Sequence, residues 1–437
     1  MKSKIFRILP LLLILSGFLV ISCSSGSIID YPELYKQQIW DWEDRLIEDP
    51  NDFEALKQLG MYYSQIKEHE TARLHVDKAL NIQPDDPALL LYKGINLEFF
   101  NKQEEAIEYY KRYTEVPEDS PFREVLEGRF LWAKRQQGYS DVKLMIQQED
   151  QISAGEISEN TMAVFPLIYQ GINPDYVPLS RGFSEMVSID LAKIKRLTIL
   201  ERIRIQAVLD ELKFAQTAYV DESTAPRTGR ILRAGKIVSG DYDITDDGKF
   251  KINLGSWDTQ TTERKSWVNK SGSLDEFFIL QKEVVFAFLE KNGIDLTQEE
   301  RESISHIPTQ NLESFLAYSK GLLFEDAGKF DEASIQYQRA SQIDPQFQIA
   351  ANKFNTSGVM SKSSGSKEDM VDILKTNYAA VKNEAINIVE NRIQGMVNNI
   401  VSSFIQGIDF RSLTEDESFL NLFIDVLPLP PLPPIRQ

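Results

Sequence analysis

Few side chains in this chain of 437 residues could do acid–base or metal chemistry: three histidines, His69, His75 and His306, and one cysteine, Cys23. His69 and His75 lie six positions apart in a helically patterned segment, about 600° of rotation, so they face different sides. The acid pairs Asp85-Asp86, Asp246-Asp247 and Glu299-Glu300 carry groups suited to proton transfer or calcium. None has the glycine and ligand spacing of a calcium loop, and acids paired in turns and helix starts are ordinarily solvated faces. No zinc motif, Walker A loop, nucleophile elbow or dinucleotide glycine loop follows a strand at the required spacing. The sequence therefore predicts no metal, no cofactor and no catalytic residues.

Cys23 offers a different chemistry, because its thiol can be acylated. Lys2, Lys4 and Arg7 precede an apolar run from Ile8 to Ile21 that Pro10, Ser16 and Gly17 interrupt, the pattern of a signal peptide over residues 1–22. The run ends in Val20-Ile21-Ser22-Cys23, which resembles the lipobox read by the lipoprotein signal peptidase. As a helix, about 14 residues reach roughly 21 Å against a hydrocarbon core of about 30 Å, too short to span. Two or three acyl chains at about 0.8 kcal/mol per buried methylene give permanent attachment. The expectation is a chain lipid-anchored at Cys23, and Ser24 in place of a retaining Asp points to the outer membrane, facing the periplasm. As Cys23 is the sole cysteine, no disulfide forms within the chain.

A hydrophobic fraction of 42% suits a globular chain with sizeable cores, and the length suggests two or three domains. Loss of the leader's three cations takes the net charge from −18 to about −21. That charge argues against nucleic acid and anionic lipid as partners.

The elements that could position a binding surface announce themselves by period. Gly60, Gly94 and Gly128 recur every 34 residues, with Ala72 and Ala106 in step, and that period is the tetratricopeptide signature. Over residues 51–152, after an anchor linker and first helix at 23–50, Leu59-Gly60, Tyr63, Ala72, Ala79 and Pro84 fill the first unit. The second departs at Lys93, Tyr110 and Tyr113. The third keeps Pro121, Gly128 and Leu131 but has Ser140 where an alanine belongs, and it reads as degenerate or capping. Gly321, Gly328, Ala333, Ala340 and Pro345 place a further helix pair at 308–350. Such repeats present a concave surface to peptides or helices of other periplasmic or outer-membrane proteins, and Tyr63, Leu97 and Tyr110 are the candidate partner-binding residues, with packing between helices as the alternative.

Between the repeats the period changes. Met162–Tyr169 is a compact apolar run, Leu179–Ile194 has helical spacing, and Leu197–Leu200 is a short strand. A helix at Ile203–Phe214 leads through a loop to Thr224–Leu232. Strands at Lys236–Ile244 and Lys249–Trp257 flank an Asp247-Gly248 turn, followed by Arg264–Asn269 and a helix at Leu274–Lys291. The expected domain, residues 158–295, is an α/β sandwich in an α+β, multidomain chain.

Four segments in order carry a resemblance: Ala163-Val164-Phe165-Pro166; Ser180-Arg181-Gly182-Phe183-Ser184-Glu185-Met186; Leu200-Glu201-Arg202 with Val208-Leu209-Asp210-Glu211-Leu212; and Ala234-Gly235-Lys236-Ile237-Val238-Ser239-Gly240-Asp241-Tyr242. Together they resemble the CsgG family, the curli secretion channel family, whose periplasmic domain is similar to the N-terminal domain of TolB. Pro308-Thr309-Gln310-Asn311-Leu312 into Tyr318 and Gly321 is similar to its tetratricopeptide-bearing branch. Glu201 and Arg202 are expected to cap the next helix or form an ion pair.

Channel-forming members of that family insert two long hairpins into the outer membrane. Membrane strands of about 9 to 11 residues each would require roughly 40 extra residues with an apolar outer face. The strands between Ile237 and Asn269 are instead joined by short polar turns and carry Asp241, Asp243, Lys249, Lys251, Asp258 and Arg264 outward. A lipid-facing Lys or Arg at midplane costs about 2 to 4 kcal/mol. The leading expectation is thus a non-enzymatic, anchored binding or assembly module in envelope biogenesis or secretion. An oligomeric secretion channel for curli-like or adhesive fibre subunits is the runner-up, with homo-oligomerisation left open, and a periplasmic hydrolase comes third.

Downstream, Ser357–Lys367 reads as a linker by composition, giving a linker at 351–368. Val371, Leu374, Tyr378, Val381, Ala385, Ile388, Val389 and Ile393 mark an amphipathic helix over 369–410. Leu427–Pro434 gives residues 411–437 a Pro-rich, extended character.

Overall fold

Small residues at fixed intervals decide where helices can touch. In this computed structural model the described residues are 31–152, 157–212, 224–261, 263–372 and 374. The leader, Cys23, the tail at 411–437 and nearly all of the 369–410 segment lie outside them. The chain divides into two units at Gly365. In the second, residues 367–372 are helical, with Met370, Val371 and Leu374 buried.

Six helices open the first unit: α1 (Tyr31–Glu48), α2 (Phe53–Gln65), α3 (His69–Ile82), α4 (Pro87–Phe99), α5 (Gln103–Lys111) and α6 (Arg123–Gln147). Asp52 and Asp86 start α2 and α4 by accepting hydrogen bonds from the Ala55 and Leu89 amides, with Pro87 fixed at the first helical position. A Cβ on Gly60 would strike Val76, and one on Gly94 would strike the ring of Tyr110. Gly60 and Gly94 are therefore the points where the first helix of each pair closes on the second.

The middle of the chain builds a mixed sheet. Its strands are β1 (Ser158–Val164), β2 (Ile168–Tyr169), β3 (Thr198–Ile199), β4 (Ala234–Ile244), β5 (Lys249–Asp258) and β6 (Arg264–Ser273). They lie in the order β3-β1-β4-β5-β6, with β2 also on β4. β1 pairs in parallel with β3 and β4, and β4, β5 and β6 run antiparallel. Gly248, at φ 78°, takes the left-handed position in the β4–β5 turn. The apolar run at 162–169 breaks after Val164, so it supplies two strands rather than one.

Alternation along the strands feeds two cores. Val238, Tyr242, Ile244, Phe250, Ile252 and Leu254 face α7 (Leu179–Ala192) and α10 (Phe277–Lys291). Ala163, Phe165, Ile237 and Trp257 face α8 (Arg202–Glu211) and α9 (Ala225–Leu232), the latter being the segment to which the sequence assigns no element. Tyr139, Met145 and Ile146 of α6 pack on this second core.

After α11 (Gln298–Ser305) come α12 (Leu312–Asp326), α13 (Phe330–Ile343) and α14 (Gln348–Ser363). A Cβ on Gly321 would strike Tyr337, repeating the N-terminal geometry. This pair is not a separate domain. Phe315, Tyr318, Leu322, Tyr337 and Phe347 belong to the same apolar core as Phe183, Phe250 and Phe277. Phe315 lies 6.3 Å from Phe183 and 5.6 Å from Phe277, ring to ring. Gly182 permits the approach, since a Cβ there would strike Ser319 and Phe315.

The third repeat, expected to be degenerate or capping, is a single helix: α6 runs unbroken for 25 residues through the position where a turn would fall. Its Gly128 closes instead on Val359 and Ser363 of α14. One expectation is corrected here. Residues 351–363 are accordingly helix and not linker. Of the small residues that give this stretch a flexible composition, Ser363 meets Gly128 of α6 and Gly358 lies over Ser334 of α13, and Ser357 and Ser363 are buried. One helix from each repeat array thus joins the two arrays, with the sheet domain inserted between them.

Gly94→Ala should lose about 1–3 kcal/mol of stability in urea unfolding, the cost of overpacking against Tyr110. Gly138→Ala in α6 meets only Ile203, at 3.5 Å, and should be neutral or gain up to about 1 kcal/mol through helix propensity.

Candidate functional site

Where α7 and α8 of the sheet domain meet α12 and α14 of the C-terminal repeat, a cavity of about 400 Å³ opens. Its apolar wall comes from Ile189, Ala192, Ile199, Leu200 and Ile203. Its polar wall is built on Arg202, the first residue of α8, held there by the short strand β3. The Arg202 guanidinium pairs with Glu185 at 3.4 Å and more closely with Glu325 and Asp326 at the end of α12. Arg181 reaches Asp326 at 3.0 Å, Lys353 of α14 reaches Glu325 at 2.9 Å, and the Tyr337 hydroxyl donates to Glu325 at 2.6 Å. Arg135 of α6 donates to the Asp326 carbonyl at 2.9 Å.

These charges hold one another. Burial works against the Glu325 carboxylate, but Arg202 and Lys353 overcome it and keep its pKa at about 2. Asp326 is raised, because burial outweighs Arg202 and Arg181. Burial likewise opposes the charge on Arg202, and Asp326, Glu325 and Glu185 more than offset it. The ion-pair expectation for Arg202 is met across the domain joint. Glu201 makes no side-chain cap on α8, so the capping expectation for it is corrected. No histidine lines the cavity, and the Ser188 hydroxyl donates to the Ser184 carbonyl at 2.8 Å. What the arrangement can do is lock two domains together and present a charged rim.

The candidate partner-binding residues do not share a surface. Leu97 and Tyr110 are buried, at 3% and 0% exposure. The Tyr110 ring fills the space above Gly94 and its hydroxyl donates to Glu98 at 2.7 Å. As α4 is buried on all sides from Ala88 to Glu98, both side chains are interior packing, which corrects their placement on an open groove. Tyr63 is half-buried. Its hydroxyl donates to Glu43 of α1 at 2.6 Å, and its ring stacks on His75 at 5.6 Å. Tyr63 therefore staples α1 to α2 and α3.

A second buried charge pair lies beneath the repeats. Arg129 of α6, 1% exposed, pairs with Glu98 and donates to the carbonyls of Ser363 at 3.1 Å and Gly365 at 2.9 Å. Sequence reasoning passes over Arg129, Glu325 and Asp326. One signal is available for the acids: they end α12, where the helix dipole disfavours negative charge, so counter-charges are needed.

The three histidines do not converge. His69 stacks on Phe99, His75 on Tyr63, and His306 is exposed after α11. Among the described residues no three His, Cys, Asp or Glu side chains gather to hold a metal. Of the acid pairs, Asp86 caps α4, Asp247 pairs with Lys249, and Glu300 completes a capping box with Thr297.

The family model for the curli production assembly/transport component CsgG matches residues 135–245, from within α6 to the end of β4. A tetratricopeptide-repeat model matches residues 316–347, covering most of α12 and α13. No curated protein matches the chain. Among solved structures, it is similar to the LpoB C-terminal domain from Salmonella enterica at 14% identity, over 31% of this chain and 94% of that one, with a TM-score of 0.22. It is similar to yeast Tom70 at 14% identity, over 76% of this chain and 65% of that one, with a TM-score of 0.23. A tetratricopeptide repeat protein from Parabacteroides merdae gives 11% identity, over 75% of this chain and 98% of that one, with a TM-score of 0.19.

Arg202→Met leaves the buried Asp326 and the half-buried Glu185 and Glu325 short of a cation and should cost about 3–5 kcal/mol in urea unfolding. His75 supplies a pH test. Burial, with help from Lys78, lowers its pKa, Glu43 works the other way, and its Nδ1 has no partner. A histidine held below its ordinary value of 6.5 binds fewer protons folded than unfolded. Its stability contribution is therefore complete above pH 6.5 and is lost as pH falls below it. Thermal melts should show this slope in the parent protein and a weaker one in His75→Gln.

Proposed function

The chain carries a CsgG domain joined to tetratricopeptide repeats, and on that premise we propose that it is a non-enzymatic, outer-membrane-anchored lipoprotein. It acts on the periplasmic side as a binding or assembly module in envelope biogenesis or protein secretion. Acyl chains on Cys23 hold it to the membrane, the repeats recruit a partner protein, and the CsgG domain docks into the assembly.

The observation that carries this reading is the continuity of the joint. The apolar core runs unbroken from the sheet into α12 and α13, and Arg202 ties α8 to the end of α12. A repeat array fixed in this way transmits the position of its partner to the CsgG domain, where a flexible tether would not. The described strands add support for a module over a pore. Residues Thr245–Gly248 join β4 to β5, and the charged Asp241, Asp243, Lys249 and Lys251 alternate with buried Tyr242, Ile244, Phe250 and Ile252.

Two measurements test the proposal. Cys23→Ser should move the protein from the membrane to the soluble fraction, and retention in the membrane would contradict the anchor. The full-length mature protein in mild detergent should be a monomer or small oligomer by light scattering and electrically silent in planar bilayers. A ring with steady conductance would replace the module with a secretion channel.

A further inference from the structure

The end of a repeat stack ordinarily closes with a polar outer face, and α1 departs from that rule. Its inner side is conventional, with Ile39 buried and Glu43 taking the Tyr63 hydroxyl. On its outer side Trp40 is 55% exposed and Ile47 is 79% exposed. Seven positions apart, they lie within about 20° of one line along the helix. A tryptophan and an isoleucine on one water-facing stripe of a terminal helix need an occupant.

The anchor supplies one. Tyr31, the first residue of α1, follows Cys23 by eight residues, which fully extended reach at most about 28 Å. α1 itself, with 18 residues, is about 27 Å long. Acylation at Cys23 therefore keeps the helix within reach of the headgroup layer. We infer that the Trp40–Ile47 face of α1 rests in the interfacial region of the membrane that carries the anchor, so that the partner of this surface is a lipid bilayer. The inference rests on the anchored reading above.

Tryptophan suits that depth because its ring is amphipathic, and an apolar helix face provides a second attachment beside the acyl chains. The charge on α1 says which lipid. Among the exposed charges of α1 the acids Asp41, Asp44 and Glu48 outnumber Lys36 and Arg45, with Asp44 between Trp40 and Ile47, so the surface favours a zwitterionic leaflet over an anionic one. The contact then draws on apolar burial and is insensitive to salt. It would hold the N-terminal end of the repeats down on the bilayer and fix their orientation to it.

Acylated Cys23 leaves the mature protein without a free thiol, so Ile47→Cys creates a single labelling position. The full-length lipoprotein carrying an environment-sensitive fluorophore at position 47 is reconstituted in phosphatidylethanolamine vesicles with a minor phosphatidylglycerol component and shallow spin-labelled lipid. The same label at Ile279→Cys, an exposed position on α10, serves as reference. The label at 47 should be blue-shifted and quenched several-fold more than the one at 279, unchanged by added salt, and less quenched when Trp40→Ser is introduced. Equal quenching at the two positions would overturn the inference. So would a blue shift that lipid does not quench and that grows with protein concentration, which would make the occupant a second copy of the chain. Intact mass separates the two levels: an acylated protein with a water-exposed label removes the docking of α1 alone. A mass without diacylglycerol on Cys23 removes the anchored reading and this inference with it.

Discussion

Arg129 brings a guanidinium into a place where almost none of it meets water, and the fold around it is arranged to meet that demand. Burying such a charge unpaired would cost several kcal/mol. Glu98 of α4 supplies the counter-charge, and the Ser363 and Gly365 carbonyls take further donors. Burial opposes the charge, but Tyr110 and Glu98 more than offset it. Satisfying this one side chain requires α4, α6 and the end of α14 to be together, although α14 follows α6 by some two hundred residues. Gly128, the neighbour of Arg129, makes the approach sterically possible.

With α6 and α14 in contact, the path of the intervening chain is constrained at both ends. The sheet domain leaves from the end of α6, which packs on one of its cores, and returns to α12, which is part of the other. Arg202 adds an electrostatic tie at the return. The result is two repeat arrays and a CsgG-like domain held in one body, the property the proposed assembly module needs for partner binding at one end to matter at the other.

Much of this is legible in the amino-acid sequence. The glycine period locates helix pairs because a Cβ at Gly60, Gly94 or Gly321 would collide with the partner helix. The alternation in β4 and β5, with Asp247-Gly248 between them, sets the hairpin register. The four CsgG-like segments become intelligible only in three dimensions, where Gly182 proves to be the crossing point of α7 and α12. What cannot be read is long-range. Gly128 announces a close contact without saying that its partner lies in α14. Ser357, Gly358 and Ser363 have the composition of a flexible linker because close helix contact and flexibility both favour small residues. Tyr110 and Leu97 belong to a helix pair expected to show one face to a groove, but α4 is buried on every side. Charge clusters assembled from residues 129, 98 and 363, or 202, 325 and 353, leave no periodic trace.

α14 is the structural partner of α6 and closes the two repeat arrays into one body. Hydrogen–deuterium exchange on the full-length mature protein tests it directly, read on peptides covering residues 348–363 and 123–147. Both segments should be strongly protected and open together as urea is raised towards the transition. Rapid exchange throughout 348–363 while 123–147 stays protected would mean that the segment is a linker and that α14 does not hold the arrays together.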